Sequence, residues 1–239
     1  MSPSVRPLPR GKPLNYLLRN LPAEEARRLA PHLETIQLDL HDEIYASESE
    51  IADVYFPETV MISLVTEMQD GTTVEMGIVG RYGMAGLPVF LGSRTVPSSA
   101  FVQIAGHALR MTLPQFRRLV TPTTQLYARL LLYTQSFLVQ SGQAAACNAL
   151  HTLQQRCARW LLMVADQIGT TKFQLTQEFL AQMLGVRRAG VTTAEGALRK
   201  RGLISISRGS ISIQDRAGLE KAACECYRII RKESDRLIA

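Results

Sequence analysis

The residue types with the most chemical potential are clustered between Val186 and Arg208. Arg187, Arg188, Arg199, Lys200, Arg201 and Arg208 stand there against one acid, Glu195, so much of the chain's net charge of +6 sits in one short stretch. No nucleophile motif or convergent pair of carboxylates accompanies them, so the chemistry they offer is recognition of a polyanion and an enzyme is not expected. Each cation that neutralises a phosphate of duplex DNA releases condensed counterions, which supplies sequence-independent affinity. Base edges are read by a few side chains at the start of a helix, most often an arginine held bidentate to guanine.

Such side chains act only if an element presents them together, and Leu175 to Ile204 reads as that element. Thr176 can cap a first helix, Leu180, Ala181 and Leu184 share one face of it, and Gly185 suits the left-handed position that ends it. A second helix from Arg188 buries Val191, Ala194 and Leu198, which turns Arg188, Ala189, Thr192, Thr193 and Arg199 outward. Gly190 and Gly196 lie inside it, each at a cost of about 1 kcal/mol relative to Ala. Gly202 stops the helix, and two alternating strands around Arg208-Gly209 read as a hairpin. Helix, turn, helix and hairpin make a winged helix. Arg188 is then the expected base reader, with Ala189, Thr192 and Thr193 beside it. Arg187, Arg199, Lys200 and Arg208 are expected on phosphates, and Gln177 on a backbone oxygen.

The remainder of the 239 residues has to carry and orient that reader. A hydrophobic content of 46% suffices for one or two cored domains. No membrane span or signal-peptide core is evident, so a cytoplasmic protein without membrane contact is expected. Residues 1–13 read as a flexible tail. From 14 to 120, a helical start is followed by short β-branched or alternating strands, TIQLDL, IADVYFP, VMISLVTEM, TTVEMGIVG and SAFVQIAG to ALRM, which suggest a sandwich or barrel. From 121 to 150 one long helix carries Leu126, Leu130, Tyr133, Phe137 and Ala144 at heptad spacing. That seam could join two subunits or pack on the chain's own β domain, and the dimer is the favoured expectation. Residues 151–239 form the winged-helix domain. Cys147, Cys157, Cys224 and Cys226 lack zinc-finger spacing, so no metal or cofactor is expected and the thiols read as buried or idle.

The order of these parts resembles the cyclic-AMP receptor protein and Fnr superfamily of bacterial transcription regulators. The resemblance rests on LTQEFLAQMLGV and Gly202-Leu203-Ile204, and on the landmarks Tyr55-Phe56-Pro57, Asp70-Gly71 and Gly80 to Gly86. It implies an α+β chain: an N-terminal cyclic-nucleotide-binding-like β-roll, a long central dimerisation helix and a C-terminal winged helix-turn-helix. It further implies a homodimer on pseudo-palindromic double-stranded DNA, with RNA polymerase as a partner. The departures matter too. Where many members read DNA with Arg-Glu-x-x-x-Arg, this chain has Arg188, Ala189 and Thr193, so its operator should differ. Where cyclic-nucleotide binders carry Gly-Glu-Leu and Arg-Ser, it has Ala85-Gly86-Leu87 and Ser98-Ser99. Without the ribose-holding Glu and the phosphate-pairing Arg, gating by cyclic AMP is not expected. Arg81, Gly83, Gly86, Ser98 and Ser99 remain an effector-loop candidate for an unidentified ligand. An Fnr-like iron-sulfur cluster is not expected, because the first cysteine is Cys147. A ligand- or redox-gated regulator of the same fold, and a non-DNA ligand-binding module, stand as alternatives.

Overall fold

The computed structural model describes residues 12–71 and 73–238 and the backbone of Val5–Arg6. The tail expected over residues 1–13 falls mostly outside the described residues. Asn15 anchors the first helix: its side chain caps α1 (Tyr16–Arg19) and its amide nitrogen donates to the carbonyls of Pro57 and Gly83, both at 2.9 Å. Helix α2 (Ala23–Leu29) follows, with Glu24 and Glu25 in its first turn and Arg27 and Arg28 in its last, as the helix dipole favours.

Two antiparallel sheets then form the β-roll. The first has the order β1 (Val5–Arg6), β2 (Glu34–Leu38), β8 (Gly106–Thr112), β4 (Asp53–Pro57). The second has the order β3 (Glu43–Tyr45), β7 (Ser99–Ile104), β5 (Met61–Glu67), β6 (Thr73–Val79). Alternation in β4 turns Val54 and Phe56 inward, where they meet Ile62, Leu109 and Met111. The sequence reading omitted β3, whose three residues are too short to show a period. Between the sheets' ends, α3 (Leu87–Phe90) starts at Gly86, and α4 (Leu113–Leu119) starts in a Thr112–Gln115 capping box.

Helix α5 (Gln125–Leu150) is capped by Thr124 and crosses the β-roll. Leu126, Leu130 and Tyr133 are fully enclosed in the β-roll core, and Phe137 packs on its edge. Of the expected dimer seam, Leu126, Leu130, Tyr133 and Phe137 therefore lie on the face turned toward the chain's own sheets, and Ala144 is half-buried further along α5. Gln140, on the same face, donates to and accepts from the backbone of Ile78. Periodicity identified the buried stripe, but not what buries it.

Helix α5 ends at His151, and Thr152 caps α6 (Leu153–Ile168), so the two helices meet at a two-residue hinge. The winged domain continues through β9 (Lys172–Gln174), α7 (Gln177–Leu184), α8 (Arg188–Lys200), β10 (Ile204–Ser207), β11 (Ser210–Ile213) and α9 (Arg216–Ala222). Its core surrounds Trp160, Leu161, Val164, Leu180, Val191, Leu198 and Ile211, and extends to Met61, Val65 and Ile78 of the β-roll. The chain then turns back: α10 (Cys226–Asp235) packs on α5, and Leu237 enters the β-roll core. Asp166 of α6 ties that return down, accepting from Arg216 at 2.7 Å and Arg231 at 2.9 Å. Among the described residues no helix is long and apolar enough to cross a membrane.

Candidate nucleic-acid interface

The local signals of the helix-turn-helix act as their chemistry requires. The Thr176 hydroxyl accepts from the Phe179 amide at 3.2 Å and starts α7. Gly185 ends that helix at a φ of 61°, a left-handed conformation that a Cβ would strain. Val191, Ala194 and Leu198 of α8 are buried, while Arg188, Ala189, Thr192, Thr193, Arg199 and Lys200 are exposed. A Cβ on Gly190 would stand 2.9 Å from Leu153 Cδ2, so that glycine lets α8 approach the start of α6. Gly196 faces open space on the outward side.

The start of α8 is electrostatically unusual. No side chain caps it; the Gly190 amide donates to the Arg187 carbonyl at 2.9 Å, while the amides of Arg188 and Ala189 have no intrahelical partner, and the positive dipole end carries Arg187 and Arg188. A helix terminus of this kind is satisfied by an anion, and a DNA phosphate fits that requirement. Arg188 is held only by an exposed ion pair with Glu178 at 3.8 Å, a contact of small worth that it can exchange for another partner.

The one acid of this stretch is withdrawn from the surface. Glu195 is 2% exposed and accepts a hydrogen bond from the Gln177 amide at 2.6 Å; burial pushes its carboxyl pKa up. The Thr192 hydroxyl donates to the other end of Gln177. Gln177, expected on a DNA backbone oxygen, thus bridges α7 and α8 and sets the angle between them. The exposed charge of α8 and the following turn is entirely basic. The wing adds to it: Ile204 pairs with Ile213 and Ser207 with Ser210, and Arg208 sits at the tip with a φ of 48°. Strand β9, not expected from the sequence, adds exposed Lys172, paired with Ser212, to the polar face that Arg208 also borders. Arg201, left out of the expected set, is exposed just past α8.

A family model described as a Crp-like helix-turn-helix domain matches residues 155–222, which span α6 to the end of α9. By that match the chain carries a Crp-like helix-turn-helix domain. Its overall fold is similar to that of FixK2 from Bradyrhizobium japonicum, at 16% identity and a TM-score of 0.69, over 80% of this chain and 98% of that one. A CRP-family regulator from Thermus thermophilus matches at 20% identity and 0.64, over 78% and 95%. The regulator CLP of Xanthomonas campestris, described as responsive to c-di-GMP, matches at 14% and 0.62, over 81% and 100%. At these identities the likeness is one of fold. No curated protein matches the chain by sequence. The chain thus has the fold of these regulators and carries a Crp-like helix-turn-helix domain.

The β-roll holds a cavity of about 450 Å³ against α5, lined by Met76, Met84, Leu87, Val96, Ser98 and Phe137 among others. Among the described residues no Arg, Lys, Asp or Glu lines it. Of the effector-loop candidates, Gly86 and Ser98 border the cavity, whereas Arg81, Gly83 and Ser99 do not. Arg81 instead donates to the Ile168 carbonyl at 3.1 Å, where its charge complements the C-terminal end of α6. Gly83 lies against the Tyr133 ring, which a Cβ there would overlap.

Proposed function

We propose that the Crp-Fnr-like chain acts as a homodimer on a pseudo-palindromic operator, each α8 entering a major groove about 34 Å from the other. The observation that carries this reading is the acid-free outward face of α8, with Arg187 and Arg188 at an uncapped N-terminus. Arg188 reads a base, Ala189, Thr192 and Thr193 flank it, and Arg187, Arg199, Lys200 and Arg208 engage phosphates. Ala189 cannot accept from cytosine and Thr193 cannot grip guanine bidentately, which moves the operator away from the usual family site. Gln177 acts through Glu195 and Thr192 rather than on the DNA.

Selection of bound sequences from a random duplex pool tests the reading and supplies the operator. On that operator, Arg188→Ala should weaken binding about ten- to a hundredfold and relax preference at one base position. Arg199→Ala should weaken all sequences alike and lower the salt slope by about one. A random pool that yields no enriched palindrome, with the protein folded and dimeric, would count against an effector-free regulator.

Cyclic AMP does not gate this protein in the usual way. A cyclic phosphate brought into the β-roll cavity would meet no cation, and an unpaired buried charge is too costly to hold. Isothermal calorimetry with cyclic AMP should give no binding heat at micromolar protein; a micromolar Kd would overturn the point. An effector that suits this cavity is uncharged and largely apolar.

A further inference from the structure

The two cysteines at the start of α10 are not isolated. Cys147 in the last turn of α5, its C-cap His151, and Cys224 and Cys226 at the α9–α10 junction bring four donor atoms within 4.8 Å of one another. All three thiols are buried and form a cluster apart from the two main cores. Cys147 Sγ lies 3.4 Å from Cys224 Sγ, and Cys226 Sγ lies 3.6 Å from His151 Nδ1. We propose that Cys147, His151, Cys224 and Cys226 bind one thiophilic metal ion in tetrahedral Cys3His coordination, with zinc(II) as the resident ion.

Geometry is the first support. Zinc with Zn–S of about 2.3 Å and Zn–N of about 2.0 Å makes a tetrahedron whose edges are about 3.8 Å between sulfurs and about 3.5 Å from sulfur to nitrogen. These two donor pairs are within a few tenths of an ångström of those edges, and all four donor atoms lie within 4.8 Å of one another, so small side-chain adjustments would seat one ion. The Cys147 and Cys224 sulfurs are too far apart for a formed S–S bond, which is about 2.05 Å long.

The surroundings are the second support. His151 presents Nδ1 to the thiols, while its Nε2 lies 3.3 Å from the Glu225 carboxylate. A carboxylate on the far nitrogen fixes the tautomer that leaves Nδ1 free to coordinate and raises its basicity, as metal-bound histidines usually require. Arg159 is 4% exposed and pairs with no carboxylate at ion-pair distance among the described residues. Its charge acts on both Cys147 and Cys226. Three thiolates around a divalent ion leave one net negative charge, which the buried guanidinium offsets.

The consequence is mechanical. The bound ion joins the end of α5 to the start of α10 beside the two-residue hinge that aims α6, and so sets the direction in which the DNA-binding domain leaves the central helix. Loss of the ion would change that direction.

Elemental analysis of the full chain, purified under reducing conditions, should give about one zinc per chain. After zinc removal, titration with cobalt(II) should produce the visible ligand-field and charge-transfer absorption of tetrahedral thiolate coordination and saturate at one equivalent. Cys226→Ser should abolish the signal, whereas Cys157→Ser, which alters a thiol outside the cluster, should leave the stoichiometry unchanged. Glu225→Gln, at an exposed position that keeps the fold, should weaken cobalt(II) binding about ten- to a hundredfold. An octahedral or absent cobalt spectrum, or a Cys147–Cys224 disulfide found in the freshly reduced protein, would overturn the assignment. So would affinity unchanged by both Cys226→Ser and Glu225→Gln.

Discussion

Leu138→Glu should convert the protein from dimer to monomer and weaken its binding to a full operator at least a hundredfold. Away from the buried stripe that α5 turns to the β-roll, Leu131, Gln135, Leu138, Gly142, Ala145 and Ala149 recur at spacings of three and four and are exposed, Leu138 at the rim of the β-roll cavity. Leu131 and Leu138 are 50% and 62% exposed, and no charged residue occurs between Leu130 and Leu150. A soluble helix does not ordinarily leave so long an uncharged stripe to water, and a second copy of the same stripe is its self-complementary cover. Gly142 and the alanines let the paired helices approach closely at the C-terminal end, while the leucines fill the wider end. Near a twofold axis, Leu138→Glu places two carboxylates face to face in a desolvated seam, a cost of several kcal/mol. The monomer then holds one half-site and forfeits the effective concentration of the second reader, worth about a hundred- to ten-thousandfold. Sedimentation and binding to full and half operators measure this directly. Circular dichroism should stay native, because the altered side chain is exposed within the protomer. A variant that sediments as an unchanged dimer would place the subunit contact elsewhere.

The contrast between that stripe and the expected one marks where sequence stops being legible. The helix-turn-helix was readable because its determinants are local: Thr176 three residues before the amide it caps, Gly185 at the turn, Arg208-Gly209 at the tip of the wing. The seam was readable as a period but not as a partner. Leu126 and Leu130 look the same whether a β-roll or a second helix covers them, and the alanine-rich face that remains exposed carries a weaker apolar signal. Glu195 reads as a surface acid until its distant partner Gln177 is seen to bury it. The thiol cluster was least accessible of all, since Cys147 and Cys224 stand 77 residues apart and come together only because α10 folds back on α5. Strands β3 and β9, three residues each, are held by their neighbours rather than by their own pattern.

The same tertiary folding should make the junction between the β-roll and the winged domain sensitive to pH. Glu75 of β6 accepts hydrogen bonds from Trp160 Nε1 at 2.9 Å and Ser63 Oγ at 3.0 Å, joining the β-roll sheet to α6. Burial pushes its pKa up from 4.5 to about 7, against the two hydrogen bonds and the charge of Arg159, which favour the carboxylate. A carboxyl whose pKa is raised on folding binds its proton more tightly in the folded state. Its contribution is therefore fully present below pH 4.5 and is lost as pH rises toward about 7, above which the penalty is constant. The shift corresponds to at most about 3 kcal/mol, less whatever solvent screens. Since Trp160 is 1% exposed and central to the winged-domain core, ionising Glu75 loosens the docking of that domain on the β-roll. Glu75→Gln keeps an acceptor for Trp160 and removes the charge. Denaturant midpoints for the wild-type chain should fall between pH 5 and pH 8, and those of Glu75→Gln should stay nearly level and lie higher at pH 8. Parallel curves for the two proteins would show that the carboxyl keeps an ordinary pKa and that the junction is indifferent to its charge.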